Sequence, residues 1–130
     1  MKQEDLELLK TDLCERFPHQ IYARLNDEDM RIIDINYSRG DIAFTLVGET
    51  KTYLGVEADR IRPYLRPMST MTQEEKEEYR STFDTFENEF GLKVTFPSQK
   101  SFDWLNKKHF DSRGLIDLGL ALQAPDWMYN

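Results

Sequence analysis

Three charged residues have the types and order of a nuclease metal site. Asp41 precedes Glu49 and Lys51 across a predicted pair of strands, in the pattern Asp…Glu-x-Lys. One nuclease superfamily uses such carboxylates to bind a divalent metal and such a lysine to orient the nucleophile. Because Glu and Lys are also common in turns, a solvated hairpin end is the simpler interpretation. A metal-dependent nuclease or other hydrolase is therefore kept as an alternative function.

The histidines and the cysteine add no second catalytic set. His109 and Asp111 are two positions apart, so their side chains would diverge on a helix, and His19 is the only other histidine. Zinc usually needs three or four converging ligands. Cys14 lies near the end of a predicted helix, where the dipole disfavours a thiolate. We predict no catalytic residue, no metal and no cofactor.

The segment 109–114, here called the corner, also has a structural interpretation. His109 would end a helix, and Asp111 would accept hydrogen bonds from nearby backbone amides. Arg113 would pair with an acidic neighbour. On this view the corner is rigid and holds two helical pieces against the core.

A second group of residues is typical of a protein-binding patch. Arg60, Arg62 and Arg66 surround Tyr64, and Arg and Tyr dominate interface hot spots. In the alternative, Tyr64 fastens the connector to the core while the arginines pair with acidic residues. The candidate binding residues are Arg60, Arg62, Tyr64, Arg66, His109, Asp111 and Arg113.

One long helix is predicted between Thr72 and Phe90. It begins at a capping box formed by Thr72 and Glu75, and Gly91 would end it. The aromatic residues Tyr79, Phe83, Phe86 and Phe90 recur every three or four positions, which predicts burial against a sheet. Over 73–90, seven acidic side chains stand against two basic ones. Such a surface could attract a basic partner, or pair internally with the arginines upstream.

The remaining elements are predicted from periodicity and turn signals. A helix is expected over 3–16, followed by strands over 20–26, 31–37, 41–47 and 52–56, which favours an antiparallel meander. A connector over 57–70, an extended piece over 92–96, a helix over 99–110 and a short helical piece over 115–118 complete the chain. The fold class is α+β: one domain over 1–130, strand-rich over 20–56 and helical over 70–122, with the C-terminal helices on one face of a sheet of three or four strands.

Composition restricts the class of function. The chain has 130 residues, 39% of them hydrophobic, and a net charge of −7. Direct nucleic-acid binding is not expected, because phosphates require a basic surface. No apolar run is long enough to span a membrane, and a single cysteine fits a reducing compartment. We expect a cytoplasmic protein that does not enter membranes.

The second half of the chain carries three recognisable blocks, over 62–78, 103–111 and 113–125. Together they resemble a family of small uncharacterised proteins of gut bacteria and their phages and prophages. The resemblance covers about 56–129 and implies a C-terminal unit that tolerates differing first halves. It supplies a mobile-element context and no catalytic residue. Among the polar positions inside the matching blocks, His109, Asp111 and Arg113 are the first to test for function.

These observations favour a non-enzymatic, cytoplasmic accessory protein of phage or mobile-element origin that binds another protein. A regulator or inhibitor of a host system is the sharper form of this hypothesis. A virion or assembly component is a further alternative, distinguished by stable oligomers. The oligomeric state is not predicted.

Overall fold

A computed structural model describes residues 1–129 and has the predicted α+β class. Its helices are α1 (Gln3–Arg16), α2 (Gln73–Ser81) and α3 (Gln99–Lys107). Its strands are β1 (Ile21–Leu25), β2 (Glu28–Ser38), β3 (Asp41–Val47), β4 (Thr52–Val56), β5 (Arg62–Leu65), β6 (Asp84–Glu87), β7 (Lys93–Phe96) and β8 (Leu122–Gln123). Among these residues, no helix is long and apolar enough to cross a membrane.

The main sheet contains the predicted meander and two further strands. Its order is β4-β3-β2-β1-β5-β8, and β1 to β4 are antiparallel neighbours in sequence order. The connector supplies β5, which pairs with β1 through Ala23 and Pro63, and β8 then runs parallel to β5. The main sheet therefore has six strands, whereas three or four were predicted. Strand β5 was not predicted because it contains Pro63, and proline normally argues against a strand inside a sheet.

One face of the main sheet carries the larger core. Leu9 and Leu13 of α1 pack there, together with Leu115 and Leu120 of the turns after the corner. A smaller cluster forms where the C-terminal tail packs, with Met128 and Tyr129 near Tyr64. Helix α1 thus buries the leucine stripe that its sequence predicts.

Helices α2 and α3 do not pack on that sheet face as expected. They meet around a separate small cluster of Met71, Leu105 and Phe110, with Tyr79 and Trp104 beside it. No residue of α2 is fully buried. Because α2 has a single large aromatic side chain, it lacks the wide apolar stripe needed to cover a sheet.

The long helix predicted to Phe90 is wrong beyond Ser81. Residues 84–96 instead form an antiparallel hairpin of β6 and β7, hereafter the hairpin. Its turn contains Gly91 at φ +78°, so this glycine closes the hairpin and does not cap a helix. Tyr79 and Phe83 are half-buried, whereas Phe86 and Phe90 are exposed. The β-branched residues Thr85, Val94 and Thr95 favour this local choice.

Two smaller differences concern the chain after α3. The helix predicted to residue 110 ends at Lys107, since His109 adopts a left-handed backbone conformation at φ 67°. The piece predicted as helical over 115–118 forms successive turns. Both changes leave the corner as a compact loop between α3 and β8.

Candidate functional site

The predicted nuclease residues do not converge. Asp41 begins β3 and binds Lys10 at 2.8 Å, whereas Glu49 follows the other end of the same strand. A strand of this length separates its ends by about 20 Å. Lys51 pairs instead with Glu28, at 3.3 Å. Over the described residues 1–129, no three His, Cys, Asp or Glu side chains are grouped to hold a metal ion.

Two of the predicted binding arginines lie near the start of β5 and make polar contacts there. A guanidinium nitrogen of Arg60 lies 3.4 Å from the side-chain oxygen of Asn26. Arg62 donates to the backbone carbonyl of Asp59 at 3.1 Å. Both arginines thus bind groups of the same chain, and neither of these groups is a partner of Arg66.

Arg66 anchors α2 to the end of β5. Its guanidinium donates two hydrogen bonds to the carboxylate of Glu75, both at 2.8 Å. The same group lies 4.1 Å from the ring centre of Phe110, which adds a cation–π contact. The hydrogen bonds from Arg66 lower the pKa of Glu75 to about 2. Arg66, which was predicted to bind a partner, therefore has its guanidinium engaged by residues of the same chain.

Tyr64 also makes its contacts within the chain. Its side chain is buried, and its hydroxyl donates to Asp29 at 2.5 Å. Arg24 lies over its ring at 5.8 Å. Tyr64 therefore joins β5 to the start of β2 and offers little surface to a partner.

The corner has the hydrogen bonds expected of a rigid element. Both oxygens of Asp111 accept backbone amides, from Leu115 at 2.8 Å and from Ile116 at 2.9 Å. Arg113 donates to Asp12 at 3.0 Å and also binds Glu15. The amide acceptance and the acidic partner predicted from sequence are confirmed, while a binding role for these residues stays a prediction.

Beneath the corner lies a buried charged pair that the sequence did not indicate. Arg16 is fully buried and donates to Asp12 at 2.7 Å and to the Phe110 carbonyl at 2.6 Å. Asp12, also fully buried, thus receives both Arg16 and Arg113. Asp12 and Arg16 belong to α1, where they occur as an ordinary charged i,i+4 pair. No feature of the sequence therefore distinguished them from a surface pair.

His109 is part of the same packing and does not face an open site. Its ring stacks on Tyr129, with centres 3.7 Å apart and planes 12° apart. Burial lowers the pKa of His109 to about 4, and the nearby positive charge of Arg16 contributes to the shift. At neutral pH the ring is uncharged, and it secures the C-terminal tail.

Large apolar side chains are exposed in several places, among them Tyr37, Leu54 and Trp127, and five of them lie within the hairpin. Every residue of β6 and β7 is exposed. The exposed fractions of the large apolar side chains are 60% for Phe86, 80% for Phe90, 64% for Leu92, 57% for Val94 and 43% for Phe96. A soluble protein normally covers such a group, so it is the strongest candidate for a functional surface.

The strand register collects the apolar side chains on one side. Phe86 lies directly opposite Val94, and Phe96 lies opposite Asp84. Since side chains alternate along a strand, Leu92 joins them on the same side. We call Phe86, Leu92, Val94 and Phe96 the apolar face. The opposite side carries Thr85, Glu87, Lys93 and Thr95.

Hydrogen bonds fix both ends of the hairpin. At the tip, the side chain of Asn88 accepts the amides of Phe90 at 2.9 Å and Leu92 at 3.0 Å. At the base, the carbonyl of Thr82 accepts the hydroxyls of Ser98 at 3.0 Å and of Ser101 at 3.3 Å. The hairpin is therefore held in one conformation although little of it is buried.

Helix α2 and the hairpin carry an excess of acidic side chains. Between 73 and 96, seven acidic residues stand against three basic ones. Glu75 is neutralised by Arg66, but Glu74, Glu77 and Glu78 of α2 are exposed, and so are Asp84, Glu87 and Glu89 of the hairpin. The last part of the predicted acidic helix belongs to the hairpin, and its carboxylates remain on the surface there.

Comparisons with protein-family models, curated proteins and solved structures give no match to this chain. The hairpin is the strongest candidate for a functional surface, and the helical interpretation of 72–90 concealed it. A signal was present in the sequence: apolar and polar residues alternate over 92–96, directly after the turn residues Asn88 and Gly91.

Proposed function

We propose that this chain is a non-enzymatic protein-binding module whose partner docks on the apolar face of the hairpin. The observation that supports it is the uncovered face itself. Phe86 and Val94 are each more than half exposed, although they lie opposite one another in regular paired strands. Exposed apolar groups of this kind mark interaction sites more often than they serve stability.

The rigidity of the hairpin supports the same proposal. Binding costs free energy whenever side chains or loops must be ordered. Here the bonds to Asn88 at the tip and to Thr82 at the base order the backbone beforehand. A partner that covers Phe90 and the apolar face would lose less entropy than one that ordered a mobile loop.

Charge selects the kind of partner. Exposed carboxylates next to the apolar face, among them Asp84, Glu87 and Glu89, would be complemented by a surface with Lys or Arg around an apolar centre. A second copy of this chain would bring the same negative charges together. We therefore assign the face to a different, basic protein and not to self-association.

We place this binding role in the cytoplasm and in the mobile-element context that the family resemblance implies. In that context, a basic partner from the host would make the chain a regulator or inhibitor of a host system. The carboxylates would steer the encounter, and the apolar side chains would slow dissociation.

Affinity capture with matched variants tests the proposal. Wild-type chain, the double variant Phe86→Ser/Val94→Ser and the control Tyr37→Ser would each be used to capture proteins from the encoding organism. Tyr37 is 79% exposed on β2, outside the hairpin, so its loss removes a similar apolar group elsewhere. Captured proteins would be identified by mass spectrometry, and the binding of each purified candidate would be measured by titration calorimetry.

We expect a basic partner whose affinity falls at least tenfold for the hairpin variant and is unchanged for Tyr37→Ser. Equal affinity of all three chains would refute the hairpin as the docking surface. A sedimentation experiment on the free chain is the companion test, because stable self-association lost in the hairpin variant would favour an assembly component instead.

A further inference from the structure

The hairpin also has unpaired backbone edges. It is a two-stranded sheet, and within 1–129 no third strand joins it. The amide of Asn88 donates to the carbonyl of Leu92, which sets the alternation of hydrogen-bonded pairs along the ladder. By that alternation, Phe86 and Val94 bond to each other, whereas Thr85 and Glu87 direct their N–H and C=O groups outward from β6.

The two edges differ in charge. Along β6 lie Asp84 and Glu87, and Glu89 follows in the turn, whereas β7 contains Lys93 and no acidic residue. Glu87 lies directly opposite Lys93. An incoming strand rich in Lys or Arg is attracted to the β6 edge and repelled from the β7 edge by Lys93.

The ends of the main sheet are less suited to accept a strand. The β4 edge has a register shift against β3 between Phe44 and Leu46, and Gly55 there has φ 64°. At the other end, β8 is only two residues long. Irregular or very short edge strands are devices that prevent pairing with other chains. The regular, four-residue β6 lacks them.

We infer that the partner adds a β-strand to the β6 edge, through an extended segment in which apolar and basic side chains alternate. Its apolar side chains would lie beside Phe86 and extend the apolar face. Its basic side chains would lie on the opposite side, beside Glu87, because alternate residues of a strand point to opposite sides. This inference rests on the proposed function and specifies its binding mode.

A peptide-binding experiment with two proline variants tests the mode. The probe is a fluorescent octapeptide of alternating valine and lysine, titrated by anisotropy at low salt. Thr85→Pro removes an outward N–H from the β6 edge, and Thr95→Pro removes one from the β7 edge. Proline is tolerated at such edge positions, so the two variants are matched. Circular dichroism checks that both remain folded.

We expect Thr85→Pro to weaken peptide binding at least tenfold and Thr95→Pro to change it less than twofold. A peptide of alternating valine and glutamate should bind at least tenfold more weakly than the lysine peptide. Equal effects of the two prolines, or a larger effect of Thr95→Pro, would overturn the assignment to β6.

The variant Phe86→Ser/Val94→Ser separates the two proposals. If it weakens binding while the prolines do not, the apolar face is the docking surface and strand addition is wrong. If the lysine peptide binds all chains alike, or none, the strand-addition mode is refuted. The capture experiment then decides independently whether the apolar face binds a folded partner.

Discussion

Arg113 of the corner donates a hydrogen bond to Asp12 of α1 at 3.0 Å, across 101 positions of sequence. Asp12 is fully buried and also accepts a bond from Arg16, so one carboxylate holds two guanidinium groups. The contact joins the first helix of the chain to the loop before β8. It makes the corner part of the folded core.

Asp12→Ala should lower the free energy of unfolding by about 3–5 kcal/mol, because it leaves the buried Arg16 without its counter-charge. Urea denaturation followed by tryptophan fluorescence measures the change. Glu15→Ala is the matched control, since Glu15 also binds Arg113 but its side chain is 45% exposed. Its cost should stay below about 1 kcal/mol. Similar losses for both variants would contradict the buried role of Asp12.

Asp111→Ala should lower the free energy of unfolding by about 1–2 kcal/mol, because the backbone amides of Leu115 and Ile116 both lose their acceptor. Thermal melting measures the loss, with the exposed neighbour Asp117→Ala as the control. A variant that keeps its melting temperature but loses a partner would show that the corner is a functional site.

Stability should fall as pH decreases from about 6.5 to about 4. His109 has its pKa lowered to about 4 in the folded chain, so the unfolded chain binds its proton first. The contribution of the neutral ring to the free energy of unfolding is complete above about pH 6.5 and is lost toward pH 4. We expect this loss to be about 2 kcal/mol, because the ring is partly exposed.

The variant His109→Asn isolates this effect, because asparagine accepts the left-handed backbone conformation and does not titrate in this range. Urea denaturation at several pH values should give a shallower loss between pH 6.5 and 4 than for the wild type. Carboxylates contribute equally to both chains, so their acid sensitivity cancels in the difference. An identical pH dependence would show that His109 is not held neutral.

Phe83→Ala and Phe90→Ala distinguish the hairpin from the long helix predicted by the aromatic spacing. Phe83 is half-buried, with its ring centre 5.0 Å from that of Tyr79, so we expect a loss of about 1–2 kcal/mol. Phe90 is 80% exposed and should change stability by less than about 0.5 kcal/mol. Large losses in both variants, measured by denaturation, would support a buried helical stripe.

The sequence by itself determined the elements whose signals are local. The leucine stripe of α1, the positions of β1 to β4, the capping box at Thr72 and the turn at Arg39 and Gly40 all appear where they were predicted. The hydrogen bonds that Asp111 accepts were likewise predictable, because their donors are backbone amides only a few positions away. Each of these depends on side chains and backbone groups within a few positions of one another.

Tertiary structure alone decided the partners that are distant along the chain. The pairing of β5 with β1 and the contact of Arg113 with Asp12 have no periodic signal. Between 82 and 96 the local signals conflicted, because Phe83, Phe86 and Phe90 suit a helical stripe while apolar and polar residues alternate over 92–96 as in a strand. The cross-strand pairing of β6 with β7 decided the outcome, and Phe86 and Phe90, which were predicted for the core, are exposed.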